Sequence, residues 1–225
     1  TDTIHNVVGG SYLADGAIDV DAGLVASATF DSGATVTMTS AGNIELVNVK
    51  ANDNATLTSA AGIDGSTVIA NNGDVTMEAV QIANSTITAE AGNVLFTAAD
   101  LYNLTVTSAG VIDGTAVTGN LVGGSYVAGD AITFDAAASI ASASFDGSAD
   151  VTLAASGNIE LVNVKANDNA TLTSAAGIDG STVISNNGDV TMEAVQIANS
   201  TITAQMGNVL FTAADLYNLT VTSAG

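Results

Sequence analysis

The chain has 225 residues and a formal net charge of −21, from 23 Asp and Glu against two lysines, Lys50 and Lys165, with no Arg, Cys, Pro or Trp. These counts exclude a disulfide framework, a thiolate metal site and a cationic surface for nucleic acid, whose phosphates are neutralised by Lys or Arg. The one histidine, His5, is read as a solvated residue near a loose end, so a Ser-His-Asp triad is not expected.

In chain order, short segments alternate apolar and polar residues. Asp19-Val20-Asp21 comes first, then Thr35-Val36-Thr37-Met38-Thr39 and Asn43-Ile44-Glu45-Leu46. Ala55/Leu57, Val75/Met77, Thr86-Ile87-Thr88, Val94/Phe96 and Leu104-Thr105-Val106-Thr107 follow. After a degenerate turn at Ile112, the pairs Ile132/Phe134, Val151/Leu153, Ala170/Leu172, Val190/Met192 and Val209/Phe211 continue the series. A period of two with β-branched residues predicts strands with one face buried. Gly, Asn, Asp and Ser stand between them, where turns need left-handed backbone. An apolar fraction of 47% argues against disorder, and 4% aromatics predicts a thin core of Ala, Val, Ile and Leu. No apolar run is long enough for a membrane-spanning helix.

The segments recur at spacings of 18 to 20 residues, and six such steps make a longer repeat of 115. Gly42–Gly110 returns as Gly157–Gly225 with three differences in 69 positions: Ala70 becomes Ser185, Glu90 becomes Gln205 and Ala91 becomes Met206. A weaker copy is marked by VGGSY at 8–12 and 122–126. The organisation expected is one continuous solenoid over 1–225, with a partial repeat at 1–33, a full one at 34–148 and a partial one at 149–225.

A unit of about 19 residues has room for two or three short strands and no helix. The fold expected is an all-β parallel β-solenoid, or β-helix, of about 11–12 coils, right-handed by the usual crossover rule. Absence of proline agrees, because nearly every N–H enters a ladder. Stacking predicts ladders of like residues: Asn52 over Asn71, Asn84 over Asn103, and an interior column of Val68, Ile87 and Val106.

The stretch GNIELVNVKANDNATLTSAAGIDGSTVIANNGDVTMEAVQIANSTITAEAGNVLFTAA, with its G-[ND]-[VI]-x-[LMF]-x-A pattern, resembles the haemagglutinin-type repeats of large bacterial exoproteins. These are the filamentous-haemagglutinin-like adhesins exported by two-partner secretion. The likeness runs through essentially the whole chain, although the export domain with its Asn-Pro motifs is not found. It implies the shaft of an extracellular, cell-surface fibre. The start at Thr1, without Met, suggests a processed protein or a piece of a longer array. Thr1 corresponds to Thr115 and Gly225 to Gly110, so copies are expected to stack head to tail or to continue a longer array.

The candidate sites are few. Glu45 and Asp64, and again Glu160 and Asp179, are 19 apart and expected to stack, where two carboxylates could bridge Ca²⁺. The same acids also suit turns and solubility. Asp19 and Asp21 share a strand face, but their counterparts are Thr133 and Asp135, so a catalytic carboxylate pair is not expected. No enzymatic activity and no resident cofactor are expected. Tyr102 and Tyr217 alternate out of phase with Leu101 and Leu216 and are expected at an exposed turn, where they could contact a partner. Thr37/Thr39 over Thr56/Thr58, and Thr86/Thr88 over Thr105/Thr107, raise ice binding as the alternative, although Thr is also simply a good strand residue. The N-x-[ST] matches at Asn54, Asn84 and Asn103 are read as chance in a Thr-rich chain. Lateral contacts between fibres through divalent cations are expected of so acidic a surface, and nucleic-acid partners are not.

Overall fold

The structure, a computed structural model, describes residues 6–225. His5 and Thr1 lie outside the described residues. The chain is all-β with no helix among the described residues, and its parallel strands stack as a β-solenoid of about 11 turns. It separates into two compact units, Thr1–Gly110 and Val111–Gly225.

In the first unit each coil supplies three strand segments, and each pairs in parallel with its counterpart in the next coil. The first ladder runs through Ile18–Ala22, Val36–Ser40 and Ala55–Ser59. The second runs through Val7–Val8, Val25–Ala26, Ile44–Glu45 and Gly62–Asp64. The third runs through Ser11–Ala14, Thr29–Ser32, Asn48–Ala51, Thr67–Ala70, Thr86–Ala89 and Thr105–Ser108. Two later strands, Val75–Ala83 and Val94–Tyr102, are nine residues long and pass through both of the first two ladders.

Alternation sets which side faces in. Val36, Met38 and Ser40 are buried while Thr37 and Thr39 face solvent. In the third ladder Phe30, Val49, Val68, Ile87 and Val106 stack as one interior column. This contains the predicted aliphatic stack, extended by Val49 and Phe30. Tyr12 continues it with its ring stacked on Phe30, centroids 5.0 Å apart and 9° from parallel.

The corners explain the turn residues. Between the second and third ladders the chain turns through left-handed residues: Gly9 and Gly10 in the first coil, then one per coil at Ser27, Leu46, Gly65, Asn84 and Asn103, with φ between 48° and 59°. Gly and Asn tolerate that region, whereas Leu46 sits there at a cost of about 1–2 kcal/mol. The next residue in two coils is a buried serine. Ser66 N–H donates to Ser85 Oγ at 3.1 Å, and the Ser85 hydroxyl donates to Ala83 O at 2.7 Å. At the other corner Ser59 Oγ donates to Gly42 O at 2.7 Å and accepts from Ala61 N–H at 3.1 Å. These hydroxyls satisfy backbone groups that the bend removes from the ladders.

The second unit repeats the plan. Its first ladder is Ile112–Val117, Ile132–Ala136, Val151–Ala155 and Ala170–Ser174, and its nine-residue strands are Val190–Ala198 and Val209–Tyr217. Its second is Leu121–Val122, Ile140–Ala141, Ile159–Glu160 and Gly177–Asp179, and its third runs from Ser125–Ala128 to Thr220–Ser223. The irregular coil anticipated at Ile112 has a structural cause. Register shifts between Gly114 and Val117, and a Cβ on Gly114 would lie 2.1 Å from Phe134 Cδ1, so only glycine fits. Phe134 belongs to an aromatic cluster with Tyr126 and Phe145, at centroid separations of 5.0 Å to Tyr126 and 5.7 Å to Phe145. Tyr126 is fully buried and its hydroxyl has no hydrogen-bond partner. Burial holds its phenol well above the ordinary tyrosine range.

Candidate functional site

The polar residues that decorate this scaffold lie on its outer faces and corners. In the second ladder of the first unit Glu45 and Asp64 are direct register partners, as the spacing predicts. Amides flank them. Asn43 Nδ2 donates to Glu45 Oε1 at 2.5 Å, and Asn84 Nδ2 donates to Asp64 Oδ1 at 2.8 Å. Asn43 Oδ1 in turn accepts Gly62 N–H at 3.2 Å. Gly62 and Ala83 leave room between these side chains, forming a shallow groove that Gln81 also lines. In the second unit Asn158, Glu160, Gly177, Asp179, Gln196 and Asn199 rebuild the same groove. There Asn158 donates to Glu160 at 2.6 Å and Asn199 to Asp179 at 2.7 Å.

This geometry bears on the Ca²⁺ reading. A tight calcium site supplies about six to eight oxygens. Here two carboxylates meet, and one oxygen of each is already engaged by an amide N–H. Among the described residues no group of three or more His, Cys, Asp or Glu is placed to hold a metal. The pairs therefore do not fit a resident ion.

The amide ladders are more extensive than the sequence suggested. Asn52 accepts at 3.1 Å from Asn72 Nδ2, and not from Asn71. The cause is a 20-residue step, since Ala55 pairs with Val75; the extra residue puts the Asn72 side chain on the rung. In the first unit Asn84 and Asn103 occupy successive left-handed corners, and Asn84 donates to Asp64. Their counterparts form a complete rung, with Asn218 Nδ2 donating to Asn199 Oδ1 at 3.0 Å. A further ladder had no sequence signal beyond turn composition. Asn169 N–H donates to Asp150 Oδ1 at 2.8 Å, Asp189 N–H to Asn169 Oδ1 at 3.0 Å, and Asn208 N–H to Asp189 Oδ1 at 2.7 Å. In the first unit Asn54, Asp74 and Asn93 do the same. The acids at these corners cap the backbone of the following coil, which is turn chemistry carried from coil to coil.

The remaining candidates are scattered over other faces. Asp19 and Asp21 point outward, in register with Thr37 and Thr39. Thr37/Thr39 stack on Thr56/Thr58, and Thr86/Thr88 on Thr105/Thr107, with all eight outside the core. Glu78 follows Thr58 in the first array and Lys50 precedes Ile69 in the second, so neither patch extends far. Tyr102 and Tyr217 end the nine-residue strands instead of sitting in turns. Tyr102 is half-buried beside Ala83, its register partner, while Tyr217 is exposed. Lys165 pairs with Asp146 across adjacent coils at 3.0 Å, and both side chains are about half exposed, so the pair contributes little.

Two features escaped the sequence reading. Leu46 and Leu161 look like buried strand residues, yet both are left-handed and 62% exposed. Leu46 stands 19 residues before Gly65 and Leu161 19 before Gly180, and that spacing was the available signal. Ser66, Ser85, Ser181 and Ser200 are buried, and only their fixed place after the left-handed residue marks them. No family model, curated protein or solved structure matches the chain.

Proposed function

We propose that the chain is a structural shaft segment of a secreted bacterial fibre or giant adhesin, held at the cell surface and extended by self-association. The observation that carries this reading is the in-register stacking of the same three ladders, coil after coil, in both units. Such a scaffold supplies stiffness and reach, because every coil is hydrogen-bonded to the next. Near-identity of the two copies favours the same role: a spacer gains length from each repeat, whereas a unique recognition site gains nothing from being written twice.

The acids, spread along the faces, keep shafts apart until cations bridge them. Millimolar Ca²⁺ or Mg²⁺ is expected to bundle them, read as a rise in light scattering. Negative-stain microscopy of native material tests the main reading. Long uniform fibres are expected, and a field of isolated short rods would refute it.

The outward Thr37/Thr39 and Thr56/Thr58 array favours one second reading, an ice-ordering surface. Thermal hysteresis and inhibition of ice recrystallisation separate it from the first, since a shaft needs neither.

A further inference from the structure

The two units act as a matched pair of experiments. The sequence contains two Asn-Gly pairs, Asn72-Gly73 and Asn187-Gly188, at equivalent corners. Both asparagines are exposed. Each holds the same rung, Asn72 donating to Asn52 and Asn187 to Asn167, both at 3.1 Å. One nearby difference falls on the chemistry. Ser185 Oγ accepts the Gly188 N–H at 3.1 Å, and its hydroxyl lies 2.7 Å from Gly188 O, with Asp168 O also in reach. In the first unit the corresponding residue is Ala70, which is fully buried and has no acceptor to offer Gly73.

We propose that Asn72 is a site of spontaneous deamidation to aspartate and isoaspartate, and that Ser185 protects its twin, Asn187, by holding the nucleophilic nitrogen. In the reaction the Gly73 backbone nitrogen gives up its proton and attacks Asn72 Cγ. A new N–Cγ bond closes a succinimide ring while the Cγ–Nδ2 bond breaks, and Nδ2 takes up a proton and leaves as ammonia. Water then adds to one imide carbonyl and opens the ring, giving aspartate or isoaspartate. The balance is one water consumed and one ammonia released, with no oxidant or reductant. Glycine favours the attack because it has no side chain to crowd the nitrogen. At Gly188 the same nitrogen must first leave Ser185 Oγ, and the hydroxyl also holds the carbonyl of the peptide that follows, so the glycine is fixed on both sides.

The product differs from the starting corner in two ways. A carboxylate replaces the amide that donated to Asn52, so that rung is lost, and isoaspartate lengthens the main chain at the bend. The change comes faster in the first unit, so the two near-identical 69-residue copies diverge chemically with age.

The test uses the folded full-length chain, aged at neutral pH and body temperature in heavy-oxygen water, then denatured and digested with trypsin. Cleavage after Lys50 and Lys165 puts Asn72 in peptide 51–165 and Asn187 in peptide 166–225. Tandem mass spectrometry locates the label, and isoaspartyl methylation confirms the product. Breaking one hydrogen bond corresponds to about a fivefold rate difference, Asn72 being the faster. Ala70→Ser is expected to slow Asn72 to the rate of Asn187, and Ser185→Ala to raise Asn187 to the rate of Asn72. Each variant installs the residue the other copy already carries, so both are expected to fold. Two rival differences lie near the corner, Gln205 and Met206, 18 and 19 residues beyond Asn187 where Glu90 and Ala91 follow Asn72. The Gln205 N–H donates to Ser185 O as Glu90 N–H does to Ala70 O. Gln205→Glu and Met206→Ala are each expected to leave both rates unchanged. Equal rates in the parent chain, no label at either asparagine, or a difference that follows Gln205→Glu or Met206→Ala and ignores the serine exchange would overturn the proposal.

Discussion

Tyr126→Phe is expected to stabilise the second unit. The ring is fully buried, stacked on Phe145 at 5.2 Å and edge-on to Phe134 at 5.0 Å, and a phenylalanine ring keeps both contacts. What it loses is a hydroxyl with no partner. An unsatisfied buried hydroxyl costs about 1–3 kcal/mol, and the void left by one oxygen returns about 0.5 kcal/mol of that. The net gain expected is about 1–2 kcal/mol, read as a higher urea midpoint by circular dichroism. Tyr12 supplies the internal control. It stacks on Phe30 in the same way but is 44% exposed, so Tyr12→Phe is expected to shift stability by less than about 0.5 kcal/mol. The pH dependence gives a second readout. Burial raises the folded-state pKa of Tyr126 above its usual 10.0, so the folded state holds the proton more tightly than the unfolded one. Stability from this group is complete below pH 10 and falls as pH rises beyond it. Tyr126→Phe removes that group's alkaline slope. A loss of stability of 1 kcal/mol or so on substitution would mean that the hydroxyl is hydrogen-bonded in solution, for instance to a buried water, and would refute the reasoning.

Three further outcomes follow from the corners. Leu46→Asn is expected to stabilise the first unit by about 1 kcal/mol, because it replaces a left-handed leucine that is 62% exposed; the melting temperature reads the gain. Gly114→Ala is expected to destabilise the second unit by about 1–3 kcal/mol, since the added methyl overlaps Phe134; near-ultraviolet circular dichroism should also report the disturbed aromatic cluster. Ser85→Ala leaves Ser66 N–H without its buried acceptor, at a cost of about 1–3 kcal/mol, and should speed amide hydrogen exchange at Ser66 more than at Ile87 on the core column.

How much of this molecule was legible in the sequence depends on which interaction fixes each feature. Strand pairing was legible because burial sets it. A slip of one residue would expose Val68, Ile87 and Val106 together, so the 19-residue spacing and the period of two leave one register. The stacking of Glu45 on Asp64 followed for the same reason. Side-chain rungs at the corners were not legible, because no buried face disciplines them. An extra residue at one corner moved the bond to Asn52 from Asn71 to Asn72. A turn is expected at Tyr102 because it alternates out of phase with Leu101, and the bend comes one residue later, at left-handed Asn103. In its coil the strand runs straight from Val94 to Tyr102, and composition does not distinguish a straight run from a bent one there. Leu46 misled for a related reason. Its neighbours alternate, and alternation places it as a strand residue, while the backbone bends at that residue.

The two copies sharpen the separation between what holds the coil and what decorates it. None of their three differences falls on a left-handed corner, on Glu45 or Asp64, or on the corner acids that cap backbone N–H groups. Glu90/Gln205 and Ala91/Met206 lie in exposed loop positions, where a change alters charge or bulk without touching a ladder. Ala70/Ser185 is the exception. It is buried at the end of a strand, and its hydroxyl reorganises the hydrogen bonds of one corner without moving the register, since Ala70 pairs with Ala89 as Ser185 pairs with Ala204. The scaffold therefore absorbs a polar atom in its interior wherever a corner carbonyl can receive it. That is why the core tolerates a column of serines, and why Tyr126, whose hydroxyl finds no such carbonyl, is the place where the same rule is broken.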